Sequence, residues 1–236
     1  MKLSKDLVSY IRNAVKVAKI VGIESIAIEK DLIRAMDENK TVVICHTTDV
    51  PDLPFDGIGI GRLDLFSSRF ALVDGRDGFS TEAEINNKDN LDQVSQLIFK
   101  ATGIKIEYRC AESSKIKAPK VIKDPMKYEF KLTADGVDTL VKAQNAMGVD
   151  FVTVISNKKG VTFELVDTNN DVFSHEFADQ AVDLEERTEV EFVHRYPVKT
   201  LIALFKQNSS QPVEVSGKGI LKSVINGLDV FVLPSI

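Results

Sequence analysis

Four bases near the start of the chain have the right type and spacing to hold phosphate. Lys5, Arg12, Lys16 and Lys19 lie within Ser4 to Lys19, SKDLVSYIRNAVKVAK. At 100° per residue of an α-helix they fall in a sector of about 60°. Leu7, Val8, Ile11, Ala14, Val15 and Ala18 recur at three- and four-residue steps and form a separate apolar stripe. A helix built this way buries one side and shows a row of cations on another. The chain as a whole carries a net charge of −5, so this face stands out against its background. An exposed lysine row is also what any solvated helix can carry.

Other residues that carry chemistry in enzymes do not assemble into a constellation. His46, His175 and His194 are scattered without metal-ligand spacing. Gly57-Ile58-Gly59-Ile60-Gly61 lacks the spacing of a dinucleotide-binding loop and reads as a flexible strand-to-helix connection. Ser216-Gly217-Lys218-Gly219 lacks the rest of a phosphate-binding loop and reads as a hairpin turn. No nucleophile–base pair can be nominated. The sequence therefore points to a binding protein, with no catalytic residue, no metal and no cofactor.

The elements that must position the bases can be read from local signals. Ser4 suits an N-cap, Asp6 the first turn and Gly22 the stop of the first helix. Strands are expected over Ile23–Glu29 and Thr41–Thr47, with a turn signal in Arg34–Lys40 between them. A loop is expected at Asp49–Pro54 and a short helix over Gly61–Phe70 that places Arg62 and Arg69 seven residues apart. The segment Asp74–Asn90 reads as loop or irregular hairpin, and Leu97–Lys100 with Ile104–Cys110 as a hairpin. Glu112–Met126 holds two prolines and four lysines without periodicity, which suits an extended connector between domains.

Beyond it the pattern restarts. Thr133 caps a helix over Ala134–Met147 that Gly148 ends, and a second helix runs from Pro197 to Gln207. Strands are expected at Tyr128–Leu132, Phe151–Ile155, Val161–Val166, Val172–Phe177, Glu191–Tyr196, Val213–Ser216, Ile220–Ile225 and Asp229–Leu233. Asp179–Glu191 is acidic. Leu3-Ser4-Lys5-Asp6 reappears as Leu132-Thr133-Ala134-Asp135, each opening a helix. Phe55, Arg62 and Arg69 match Phe192, Lys199 and Lys206 at an offset of 137 residues. These matches predict a duplicated α+β domain, residues 1–111 and 127–236 around a connector at 112–126.

The four expected helices hold nine bases (Lys5, Arg12, Lys16, Lys19, Arg62, Arg69, Lys142, Lys199 and Lys206) and four acids, a charge of +5 in a chain of −5. Helices on one face of the sheets would make that face basic, suited to a phosphate backbone without base reading. The 44% hydrophobic content supports a core. No run is long enough to span a membrane and no secretory signal opens the chain. Cys45 and Cys110 suit buried thiols in a reducing cytoplasm.

Several short motifs resemble the DNA sliding clamps, the proliferating-cell-nuclear-antigen fold, and most of all those of large tailed phages. They are the opening Met1-Lys2-Leu3-Ser4-Lys5-Asp6, Met36-Asp37 in a turn beside a strand, and the closing Asp229-Val230-Phe231-Val232-Leu233-Pro234-Ser235-Ile236. The resemblance implies a ring, usually a homotrimer, of two clamp-type domains per subunit, with helices lining the hole and antiparallel sheets outside. It implies a processivity factor that encircles double-stranded DNA, tethers a replicative polymerase and is placed by a clamp-loader ATPase. The nine bases would face the duplex. Met36, Lys40, Lys117, Val121, Leu233, Pro234 and Ile236 would form a pocket for short partner peptides. Subunits would join through edge strands carrying Ile104, Ile106 and Tyr108 on one side and Val172, Phe173 and Phe177 on the other. Phage clamps also serve late transcription, and no residue here speaks to that role. Two alternatives stand beside this reading: a monomeric or dimeric clamp-fold factor with an open basic surface, and a protein-interaction module with no DNA role.

Overall fold

The computed structural model describes residues 1–88, 90–157, 160–176, 178–183, 192–207 and 212–235, with backbone alone at 88, 157 and 178–183. The expected Phe177 and Ile236 contacts lie outside the described residues. The chain divides into two compact units, one of residues 1–39 and 43–121, the other of 40–42 and 122–236.

In the first unit, helix α1 (Lys5–Ile20) is capped as its sequence predicts, with the Leu7 amide donating to Ser4 Oγ at 3.2 Å. Its buried side is Leu7, Val8, Ile11, Ala14, Val15, Val17 and Ala18. Strands β1 (Ile26–Glu29) and β2 (Leu32–Met36) form a hairpin, and β3 (Val42–His46) pairs with β2. Strand β2 was not expected from the sequence. It is made possible by a tight turn in which Asp31 takes φ 60°.

Strand β4 (Gly57–Ile60) pairs with β1 and is buried at every residue, so the glycine-rich run is a core strand and not a flexible connection. Helix α2 (Leu63–Ala71) follows, with Arg62 at its N-cap in the left-handed region. Then come β5 (Ser80–Lys88), β6 (Leu91–Ala101) and β7 (Ile104–Arg109). Strand β5 makes a long hairpin with β6 where a loop or irregular hairpin is expected. Its nine polar-rich residues pair with β6 from Ser80↔Lys100 to Lys88↔Leu91, so the long partner strand defines it and hydrophobic alternation does not. The core beneath these strands is aromatic. Phe66 meets Phe99 and Tyr108 edge-on at 5.6 and 5.3 Å, and Phe70 meets Phe99 at 5.4 Å.

A 3-10 turn (Ser113–Lys115) begins the connector. The second unit follows the same helix–strands–helix–strands order with two more strands among the described residues: β8 (Met126–Leu132), α3 (Ala134–Met147), β9 (Phe151–Asn157), β10 (Gly160–Val166), β11 (Val172–Glu176), β12 (Ala178–Asp183), β13 (Phe192–Pro197), α4 (Val198–Gln207), β14 (Val213–Ser216), β15 (Leu221–Ile225) and β16 (Leu228–Val232). Thr133 caps α3 through the Gly136 amide at 3.1 Å, and Gly148 ends it in the left-handed region. One sheet runs β11-β10-β9-β13 and another β12-β8-β14-β15-β16, all antiparallel. Phe130, Phe163 and Phe205 close this core.

The helix starts set the repeat register more firmly than residue identity does. Leu63 opens α2 and Val198 opens α4, 135 residues apart and not 137. At that offset buried Leu63, Phe66 and Phe70 match buried Val198, Leu201 and Phe205. The expected pairings of Arg62 with Lys199 and Arg69 with Lys206 are therefore out of register, because packing decides the alignment and surface charge does not.

Candidate nucleic-acid interface

The apolar stripe of α1 is buried, which turns Lys5, Arg12, Lys16 and Lys19 outward; all four are exposed. Helix α2 packs beside α1 through Phe66 and Phe70. A groove of about 450 Å³ remains between them, with Val15, Ile20, Phe66, Phe70 and Ala71 within and Arg12, Lys16 and Lys19 at its edges. Arg12 sits over the Phe70 ring at 5.3 Å. Arg62 is exposed at the start of α2, and Arg69 is half-buried, donating to the Glu107 carbonyl at 3.1 Å and lying over Tyr108 at 6.0 Å.

Two of the four α1 bases are paired. Arg12 Nη2 lies 2.8 Å from Asp74 Oδ2, and Lys19 Nζ lies 2.7 Å from Asp64 Oδ1. Among the described residues, Lys5, Lys16 and Arg62 make no salt bridge. Asp74 was invisible as a partner in the sequence, because α1–α2 packing alone brings it to Arg12. In the second unit Lys142, Lys199 and Lys206 are exposed, and Lys199 Nζ is 3.9 Å from Asp150. The bases thus fall into one group of six in the first unit and one of three in the second.

The residues expected to take partner peptides divide between the units. Met36 (half-buried), Lys117 and Val121 (both exposed) belong to the first. Lys40, Leu233 and Pro234 belong to the second, where the Leu233 amide donates to Thr41 O at 2.8 Å. The connector's first turn is fastened to the first unit. Arg34, only 5% exposed, donates through Nη2 to Glu29 Oε1 at 2.9 Å and to Ser113 O at 2.8 Å, and through Nη1 to Ile116 O. Burial raises the Glu29 pKa, and the Arg34 hydrogen bond and charge outweigh it, so the carboxyl sits below its ordinary value. Gly59 makes room here: a Cβ would lie 2.8 Å from the Ala111 carbonyl oxygen, with which the strand exchanges backbone hydrogen bonds. Glycine at 59 is thus explained by close backbone approach.

Among the described residues, strands β7 and β11 each hydrogen-bond one neighbouring strand, β6 and β10 respectively. Ile104 and Ile106 are half-buried, Phe173 is half-buried and Val172 is 60% exposed. Tyr108 corrects the expectation of an interface side chain. It is fully buried against Phe66, and its hydroxyl donates to the Gly61 carbonyl, so only its backbone reaches the strand edge. No group of three or more His, Cys, Asp or Glu among the described residues is placed to hold a metal. No described helix is long and apolar enough to cross a membrane.

No protein-family model matches the chain, and no curated protein matches it in sequence. Solved structures do. The chain superposes on PCNA from Thermococcus kodakaraensis with a TM-score of 0.61 at 11% identity, over 97% of both chains. It superposes on A. fulgidus PCNA, solved with the C-terminal region of FEN-1 bound, with a TM-score of 0.60 at 14% identity, over 98% of this chain and 96% of the other. The Streptococcus pneumoniae DNA polymerase III β chain gives 0.66 at 13% identity over all of this chain. This chain covers 64% of that protein's length. The fold is that of the DNA polymerase sliding clamps.

Proposed function

We propose that this chain is a DNA polymerase processivity factor, a sliding clamp without catalysis of its own. It closes as a homotrimer around double-stranded DNA and tethers a replicative polymerase after a clamp-loader ATPase has placed it. The observation that carries this reading is the exposed row Lys5, Arg12, Lys16 and Lys19 on α1 of a sliding-clamp fold, beside Arg62 and Arg69. Bases on a helix surface hold phosphates without reading sequence, and charge contacts screened by salt permit sliding. Lys142, Lys199 and Lys206 add the second unit's share.

Partner peptides engage Met36, Lys40, Lys117, Val121, Leu233, Pro234 and Ile236. This is supported by the exposed Val121 and by the FEN-1 segment on the A. fulgidus relative. Neighbouring subunits pair β7 with β11, which would cover two strand edges that each bond one neighbour among the described residues. The protein acts in the cytoplasm, the host's if a phage encodes it.

Sedimentation equilibrium tests the assembly. A species of three times 26.1 kDa supports the ring, and a monomer at every concentration overturns it in favour of an open basic surface. Binding to a short duplex tests the face. Lys5→Ala/Lys16→Ala should weaken it about tenfold and lower the salt slope by roughly two, with the unfolding temperature unchanged.

A further inference from the structure

The same face carries acids that its bases do not need for folding. Asp64, in the first turn of α2, is 93% exposed at its side chain and reaches Lys19 on the last turn of α1. Asp74, just past α2, reaches Arg12, whose side chain is 56% exposed. An exposed pair of this kind contributes about 0–1 kcal/mol to stability, so neither is needed to hold α1 on α2. The buried Val15, Phe66 and Phe70 do that. Lys5 and Lys16 on the same row make no salt bridge among the described residues. The row is therefore graded, with two open cations and two that already hold a carboxylate.

Resting on the reading of this face as the DNA surface, we propose that Asp64 and Asp74 are internal counterions that set its grip. A phosphate that engages Arg12 or Lys19 must displace a carboxylate tethered to the protein. Displacing a free salt anion would give the favourable mixing entropy that drives phosphate binding. Displacing a tethered carboxylate gives none of it, because the carboxylate stays on the protein. Arg12 and Lys19 thus add little affinity and little salt dependence, while Lys5 and Lys16 add both. The exposure of the cations lets phosphate reach them from solvent. The stacking of Arg12 on Phe70 keeps its guanidinium in place when the carboxylate leaves. The outcome is a face that touches the backbone along its length and holds it weakly.

The test is fluorescence anisotropy of a labelled blunt duplex oligonucleotide, titrated with full-length protein over a series of salt concentrations. Asp64→Asn/Asp74→Asn should bind about tenfold more tightly at low salt and steepen the salt slope by roughly two, about 0.9 for each cation released. Asp31→Asn/Asp52→Asn changes net charge equally at exposed acids away from this row and should produce a small fraction of that shift. Asp64→Asn alone leaves packing untouched and should give about half the change in slope. Unchanged or weaker binding by the Asp64 and Asp74 variants overturns the proposal, as does an equal gain from the control pair. Lys5→Ala/Lys16→Ala separates the two levels. If it leaves duplex binding unaltered, the DNA face itself is wrong and the counterions go with it. If it weakens binding while the aspartate variants do not tighten it, the counterion proposal alone fails.

Discussion

Helices α1 and α3 are copies in packing and opposites in surface. Ser4 and Thr133 cap them, 129 residues apart, and at that offset Val8, Ile11 and Ala14 of α1 match Val137, Leu140 and Ala143 of α3, all buried. Of the outward positions, Asp6 and Asp135 in the first turns agree, but none of the α1 bases is repeated. Lys5, Arg12, Lys16 and Lys19 face Ala134, Val141, Asn145 and Gly148 in the second copy. The second helices diverge the same way at their own offset, where Asp64 of α2 meets Lys199 of α4. Burial ties a side chain to many neighbours and holds its type. A solvated position is tied to none and follows whatever the surface must bind.

The comparison breaks first at its shared part. Phe70 and Phe205 occupy the same repeat position and are both buried. Phe70→Ala and Phe205→Ala should each cost about 3–5 kcal/mol in urea unfolding; a cost confined to one of them would end the equivalence. The charge difference is sharpened by grafting. Ala134→Lys/Asn145→Lys places bases at the exposed α3 positions that match Lys5 and Lys16. It should tighten duplex binding about tenfold and steepen its salt dependence. No gain would mean that α3 does not face the duplex at all.

The caps give a smaller and equal pair of effects. Ser4→Ala and Thr133→Ala should each lose about 1 kcal/mol, read by thermal unfolding.

Last comes a difference in pH response. At the 135-residue offset Gly59 of β4 corresponds to His194 of β13. The His194 ring packs where a Cβ on Gly219 would lie 2.5 Å away. Burial lowers the His194 pKa below its ordinary 6.5. A depressed histidine binds its proton more readily unfolded than folded. Its neutral form is therefore fully compatible with the fold above pH 6.5, and stability falls as pH drops through the folded value. His194→Phe should flatten the unfolding temperature below that pH, and an unchanged pH profile would remove His194 as its source.

Much of the fold was legible because its signals are local. The bounds of α3 follow from Thr133 and Gly148, and the β15–β16 hairpin from Asn226-Gly227, where both residues have positive φ. Strands β2, β4 and β5 were hidden for three different reasons. Strand β2 needs Asp31 in an uncommon backbone state. Strand β4 is two glycines and two isoleucines that become a strand only between β1 and β6. Strand β5 is polar and exists because β6 is long enough to pair with all of it.

The site divides the same way. Sequence by itself determined the α1 row, because the helix period that buries Val8, Ile11 and Val15 turns Arg12 and Lys16 outward. Only the tertiary structure decided which of those cations stand open. Asp74 and Asp64 reach Arg12 and Lys19 through the packing of α2 on α1. Tyr108 turns inward for the same kind of reason, since the Phe66 ring and the Gly61 carbonyl meet it from another element. Periodicity along one helix is encoded in its own spacing. A contact between elements depends on where a distant segment comes to rest.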